Sequence, residues 1–451
     1  METRATSITA RQANAALFVL LLTYMMSYID RTALGVLQEP IKRELALSDW
    51  QLGLLSGPVF AVLYALMSLP IARLAERYSR SRLIALCLFF WSLMTMVCGL
   101  CQSYAQLLVA RIGVSIGEAG GNPASHSLIA DLFPPSRRGR AISVYTFGVP
   151  VGAFLGAALS GWLAAQWGWR AAFLILGPAG FLLVLAVLRL IPNVPRGRFD
   201  EAPADPDPPD VWTVLRTLGA SAVFRRFAGG AALVVLVGYG AAAFVAPFLI
   251  RVHRLDLGEV GLISGLINGA AAGAGTLFGG FAADHFAQRD RRHYGWMPAV
   301  TMAIAAPCFT AGFLVGQLWL ATALLMLGTA CLYTYIAPTF AQVHAIAGPR
   351  MRATAAAVLF LIINLIGLGL GPPIIGSVSD YVAANSFDGA APARFAALCK
   401  DMADSGCHEA AAAGITAGML SLCPLLPVSA LLFWLAGKAV GRDGDIDSSK
   451  A

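Results

Sequence analysis

Apolar residues run through the chain in stretches of about 20, divided by short polar turns, and that spacing predicts helices long enough to cross a bilayer. A first span is expected from about Ala13 to Leu37, closing in TYMMSYIDRTALG. The segment EPIKRELALSDW reads as a short amphipathic loop leading to a second span over about 51–72. The basic turn RLAERYSRSR then precedes a third span over about 83–101. A fourth carries RIGVSIGEAGGNPASHSLIA (residues 111–130) and is stopped by Pro134 and Pro135. The fifth, about 141–165, repeats glycine at Gly148, Gly152, Gly156 and Gly161, a pattern that lets helix backbones approach closely in lipid. A sixth reaches about Ile191. Six more are expected at about 228–252, 258–283, 296–316, 318–346, 352–381 and 411–437.

Polar residues interrupt this pattern at helical spacing. Arg111, Ser115, Glu118, Asn122 and Ser125 follow one another at intervals of four, three, four and three, which places them on one face. In the first span Tyr24, Ser27, Tyr28 and Arg31 share a face, with Asp30 about 100° round the helix from Arg31. A charge at bilayer depth costs roughly 2.5–3.5 kcal/mol on insertion scales. These stripes are therefore expected to line a polar cavity.

The chain divides where its composition changes. PNVPRGRFDEAPADPDPP (residues 192–209) is rich in proline and charge and reads as an extended linker. VWTVLRTLGASAVFRRF after it reads as an amphipathic surface helix. The expected organisation is a six-helix bundle over 1–191, a linker over 192–225 and a second six-helix bundle over 226–451. The halves echo one another. Ala72–Arg77 after the second span corresponds to Gly280–His285 after the eighth, Gly156 and Gly161 to Gly371 and Gly376, and Arg138 to Arg352. Repeated helical halves joined by a linker mark a transporter with its site between them. The fold class is thus all-α, a polytopic membrane protein of about twelve transmembrane helices in two pseudo-symmetric bundles.

Composition supports lipid as the main solvent. Of 451 residues 58% are hydrophobic and only 13% charged, against about a quarter charged in soluble domains. The net charge of +7 sits in short turns between spans, which argues for membrane topology and against nucleic acid. One side collects Arg4, Arg11, Arg73, Arg77, Arg80, Arg82, Arg137, Arg138, Arg140, the linker arginines, Arg289, Arg291, Arg292, Arg350, Arg352, Lys438 and Arg442. The other holds Lys42, Arg43, Arg170, Arg251, Arg254, Arg394 and Lys400. The positive side is expected to be cytoplasmic, with both termini there, in a cell inner membrane. No cleavable signal is evident near Met1. No Ser/His/Asp set, HxxxxD pattern, nucleotide-binding loop or metal-type CxxC pair is found, so no enzyme, cofactor or metal site is expected. Six cysteines lie in apolar spans and pack there. Cys399 and Cys407, in the long loop before the last span, can bridge in an oxidising compartment or remain two thiols.

RLAERYSR resembles the signature loop G-x-L-A-D-R-x-G-R of the major facilitator superfamily, with Ala72, Glu76 and Ser79 replacing glycine, aspartate and glycine. GFAADHF after the eighth span keeps Gly280 and Asp284. Arg111, Ser115, Gly117 and Ala119 resemble R-x-x-x-G-x-G-x-A, and GAALSGWLAAQWGWRAAF resembles the junction of the fifth and sixth spans. Within that superfamily, YIDRTALGVLQEPIKREL, RIGVSIGEAGGNPASHSLIADLFP and PFLIRVHRLDLGEVG resemble the spinster family. That resemblance implies a lysolipid-type substrate. It maps the family's acidic–basic pair onto Asp30 and Arg31 and its fourth-span arginine and glutamate onto Arg111 and Glu118.

The function expected is a monomeric, proton-coupled secondary transporter working by alternating access on an amphiphilic substrate. A non-lipid drug or organic-anion transporter, a membrane enzyme and an uncoupled scramblase are the alternatives. Asp30 and Glu118 are candidate proton-coupling acids, because a buried carboxyl whose arginine contact changes between states binds and releases a proton. A fixed charge pair locking the bundle is the competing reading. Arg31 and Arg111, with Asn122, Tyr28 and Arg251, are candidate substrate contacts or charge partners, although Arg251 fits equally an interfacial snorkelling role. Glu76, Arg77, Arg80, Asp131, Asp284, Arg350 and Arg352 are candidate gate residues bridging the halves on the cytoplasmic side.

Overall fold

The sequence pattern resolves into helices throughout. The computed structural model describes residues 8–199, 210–387, Phe395, Cys399 and 405–448, and no strand occurs among them. Helix α1 is Ala10–Leu45, capped by Thr9, followed by α2 Asp49–Ser56 and α3 Pro58–Arg77. Then come α4 Arg80–Cys98, α5 Tyr104–Glu118, α6 Gly121–Leu132, α7 Pro135–Thr146 and α8 Gly148–Leu190. The short α9, Val211–Ala220, precedes α10 Ala222–His253, α11 Leu257–Gly265 and α12 Ala272–Ala287. The chain closes with α13 His293–Leu314, α14 Leu318–Tyr333, α15 Ile336–Ile363, α16 Gly369–Ser386, α17 Ser405–Leu422 and α18 Leu425–Ser448.

Ten of the resulting stretches are long and apolar enough to cross a bilayer. One of them, Pro135–Leu190, has 56 residues, about 84 Å of helix for a hydrocarbon core of about 30 Å. It breaks at Gly168, whose φ of 82° only glycine adopts without strain, and so makes two crossings. Tyr104–Leu132 adds another. It falls outside the ten because it is divided near Gly120 and carries Arg111 and Glu118. Twelve crossings among the described residues leave both ends on one face.

Two helix boundaries differ from the sequence pattern. The residues from Glu39 to Leu45 are helical, an extension of α1 past Pro40, not a loop; Glu39 and Ile41 are buried there, and burial overrides the polar appearance. The expected surface helix after the linker ends at Ala220, and Val223 to Phe227 belong to the buried start of α10.

Apart from α2 and α11, which pack chiefly across the interface, helices α1 to α8 pack mainly on one another, as do α10 to α18. The bundles meet through α8 on α11, α2 on α16 and α1 on α10. The glycine repeat sets these contacts. A Cβ on Gly156 would lie 2.6 Å from the Ile29 backbone of α1, and one on Gly161 would collide with the Leu257 carbonyl across the interface. In the second bundle a Cβ on Gly371 would collide with the Leu236 carbonyl of α10, and one on Gly376 with the Asp49 carbonyl of the other bundle. The paired glycines thus do the same work in both halves: the first seats the fifth helix of each bundle on its own first helix, the second on the opposite bundle.

The loop between α16 and α17 is tied by a Cys399–Cys407 disulfide over a small core of Ala383, Ala384, Phe395 and Ala411. The other six cysteines are buried as expected.

Candidate functional site

The first-span and fourth-span stripes face each other. Arg31 Nε donates to Glu118 Oε2 at 2.7 Å, and Ser27 Oγ donates to the same oxygen at 3.0 Å. The Arg31 side chain keeps 21% of its surface open while Glu118 keeps 1%, so Arg31 is the member of this pair that a ligand can touch. Three aromatic rings surround it: Tyr28 with its centroid at 5.1 Å, Phe60 at 4.4 Å and Tyr64 at 5.3 Å. Each such stacking is worth about 0.5–2 kcal/mol, more as water is excluded. Tyr64 also packs on a cluster of Phe60, Ala61 and Leu368 together with Tyr239 of α10. The site therefore lies where the two bundles meet.

The other two charges lie deeper. Asp30 is fully buried and accepts from Thr95 Oγ1 at 3.2 Å. Arg111 is 3% exposed and within electrostatic reach of Asp30. Asp30 Oδ1, Glu118 Oε1 and the Nε and Nη1 groups of Arg111 have no hydrogen-bond partner among the described residues. The ion pair thus runs between helices, from Arg31 to Glu118, and Asp30 turns away from its sequence neighbour toward α4. Farther along the stripe Tyr145 donates to Asn122 Oδ1 at 2.8 Å, and Tyr145 stacks on Tyr24 with centroids 4.6 Å apart. Ser115 donates to the Phe60 carbonyl at 3.0 Å, which pins the aromatic wall to α5.

Arg251 is neither a snorkelling residue nor open to this cavity. It is 2% exposed and joins the bundles at the face opposite the basic turns. Its guanidinium bonds Asp49 at 2.6 and 2.7 Å and Glu39 at 2.9 Å. Lys42 reaches Asp49 at 2.6 Å, as does Ser379 of α16. Asp380 accepts from the backbone N–H groups of Asp49 and Trp50. Glu39, Asp49, Ser379 and Asp380 escape a reading of the sequence, since two sit in a segment that reads as an amphipathic loop and two at a span end. The paired acids ten residues apart near Lys42 and Arg43 are the only hint. Phe60, Tyr64 and Tyr239 are missed likewise, because aromatic residues in apolar spans look like ordinary packing.

The basic face is organised differently. Arg80 and Asp131 pair within the first bundle, and Arg80 also donates to Ser127 and to the Val194 carbonyl. Arg77, Asp284 and Arg352 are exposed. The side chains of Glu76 and Arg350 lie outside the described residues. The cross-bundle hydrogen bonds and ion pairs among the described residues all belong to the Arg251 cluster on the opposite face.

Twelve helices in two bundles around a charged, aromatic-lined centre define a membrane transporter, and comparison with known proteins gives the family. A family model described as Major Facilitator Superfamily matches residues 20–372, and the chain belongs to that superfamily. It is 37% identical to an MFS-type efflux pump of Mycolicibacterium smegmatis, over 82% of this chain and 85% of that protein. It is 29% identical to protein spinster homolog 1 of Bos taurus, over 81% of this chain and 73% of that protein. A crystal structure of a bacterial homologue to the human lysosomal transporter spinster, inward-facing and unoccupied, superposes with a TM-score of 0.86. That structure is 34% identical, and the match covers 96% of this chain and 98% of the other. The spinster resemblance read from the motifs therefore holds along nearly the whole chain.

Proposed function

We propose that this transporter moves an anionic amphiphile of the lysolipid kind by alternating access, driven by protons. The observation that carries the reading is Arg31: a cation partly open to the inter-bundle site, stacked by aromatic rings and held by a buried carboxylate. An anionic head group competes with Glu118 for that guanidinium, and the rings accept the adjoining apolar part. A carboxylate that loses its cation in a low-dielectric site takes up a proton. Substrate and proton then favour the same state, and by linkage each promotes binding of the other. Asp30, Thr95 and Arg111 form a second station for the proton beneath the first.

In this proposal the basic face is cytoplasmic, both termini lie inside, and the protein works as a monomer in the inner membrane. The Arg251–Asp49 cluster is then the outer gate, closed here, and the inner gate is open. Glu76, Arg77, Asp284, Arg350 and Arg352 take cross-bundle partners when the cytoplasmic side closes, while Arg80 and Asp131 brace the loop that carries two of them. The Mycolicibacterium relative, named an efflux pump, favours a second reading in which the amphiphile is a non-lipid compound. Reconstitution into vesicles with and without an imposed pH gradient tests both. Gradient-dependent movement of a labelled lysolipid supports the first. Movement of amphiphilic drugs alone supports the second, and transport indifferent to pH removes proton coupling.

A further inference from the structure

Away from the central site, a cavity of about 260 Å³ opens on the basic face between the α3–α4 turn and the chain that leaves α8. Its lining includes Arg77, Ser79, Arg80 and Arg196, with Tyr78 and Pro195, and no carboxylate of the described residues is among its walls. The walls are anchored. Arg196 Nη2 donates to the Ala75 and Tyr78 carbonyls at 2.7 and 2.9 Å, and Arg80 Nη2 donates to the Val194 carbonyl at 2.8 Å. The nearby Asp131 is already engaged by Arg80 and by the Gly197 N–H at 3.0 Å. Its charge is thereby matched from behind the cavity.

What remains is cationic and donor-rich. Arg77 is exposed and has no partner among the described residues, and the Nε and Nη1 groups of Arg196 have none either. Ser79 adds a hydroxyl, 3.1 Å from that of Ser81. The first turn of α4 contributes no acid. Guanidinium groups in a fixed fork match the oxygens of a phosphate better than those of any monodentate anion. The rim is apolar and aromatic: Tyr78 is 65% exposed and Leu74 42%. Such residues sit at the head-group level of a bilayer.

We propose that this cavity is a phosphate site, filled by the head group of an anionic lipid in the leaflet against the basic face. A free phosphate offers the same oxygens, and the two sources separate by experiment. The site is distinct from the central cavity and does not depend on what the transporter carries. Its occupant would bridge Arg77 on the α3–α4 turn to Arg196 at the root of the linker, tying the linker to the first bundle.

The test uses the purified full-length chain. Short-chain phosphatidylglycerol, short-chain phosphatidylcholine and inorganic phosphate are each titrated against the parent, Arg77→Gln, and Arg77→Gln combined with Arg196→Gln. Arg77→Gln alone touches no described contact and guards against loss of fold in the double variant. Phosphatidylglycerol should bind the parent, and loss of one charge-assisted contact should weaken it by about tenfold. Phosphatidylcholine should bind more weakly. If inorganic phosphate alone binds and shows the same loss, the site stands with free phosphate as its ligand. If neither anion binds, or if the arginine variants bind both as the parent does, the proposal is wrong.

Discussion

Glu118 is the residue on which the others turn. It accepts from both Arg31 and Ser27 on one oxygen, and its second oxygen has no partner among the described residues. In the proposed cycle a head group that draws Arg31 away leaves this carboxylate without its cation, and the free oxygen is where the replacing proton can sit. Glu118→Gln and Asp30→Asn keep shape and hydrogen bonding but cannot release a proton. Each is expected to abolish accumulation driven by a pH gradient while the protein still elutes as the parent does. Substrate exchange should survive in part, because Arg31 and Arg111 remain. If both variants concentrate substrate as the parent does, the coupling site lies elsewhere. The faces of these residues were legible in the sequence, since three- and four-residue spacing on a helix leaves no freedom. Their partners were not, because the family resemblance offered Asp30 and Arg31 as a pair whereas the fold joins Arg31 to Glu118 of α5.

At the level of elements, two devices hold the bundles together on the face away from the basic turns. The first is the buried cluster of Arg251, Asp49, Glu39 and Lys42. Removing one partner of a buried ion pair costs about 3–5 kcal/mol, because the other charge is left unpaired. Arg251→Gln should therefore lower the melting temperature and lengthen spin-label distances between α2 and α16. Distances as short as in the parent would show that the cluster does not hold the gate. The second device is the contact of Gly161 on α8 with Leu257 and Gly261 on α11, where a Cβ would collide with the Leu257 carbonyl. Gly161→Leu should force the bundles apart on this face and reduce transport. Gly139→Ala, where a Cβ meets nothing within 4 Å, serves as the control and should leave both unchanged. Were Gly161→Leu to transport as the parent does, this contact would not limit the cycle.

For the whole molecule the expectation concerns orientation. Arginine and lysine gather on one face, and a cytoplasmic placement of that face follows from the positive-inside rule. A reporter active only in the periplasm, inserted between Pro192 and Pro209, should stay silent. The same reporter placed in the loop that holds the Cys399–Cys407 bridge should be active, in keeping with a disulfide formed in an oxidising compartment. Strong signal from the first insertion would reverse the topology.

The sequence by itself determined the helices, their number, the repeat and the polar stripes, because each depends on composition and on periods of a few residues. Backbone groups in lipid must be satisfied within the helix, so apolar stretches of that length had one available structure. The paired glycines likewise revealed where backbones would touch. Only the tertiary structure decided which charges pair, that Arg251 joins the two bundles rather than lining the cavity, and that Glu39 to Leu45 is helix. Those outcomes depend on contacts between residues far apart in the chain, 87 positions for Arg31 with Glu118 and 212 for Arg251 with Glu39. Such contacts are set by how helices lean on one another within and between the bundles, and the local pattern of a helix carries no record of that angle.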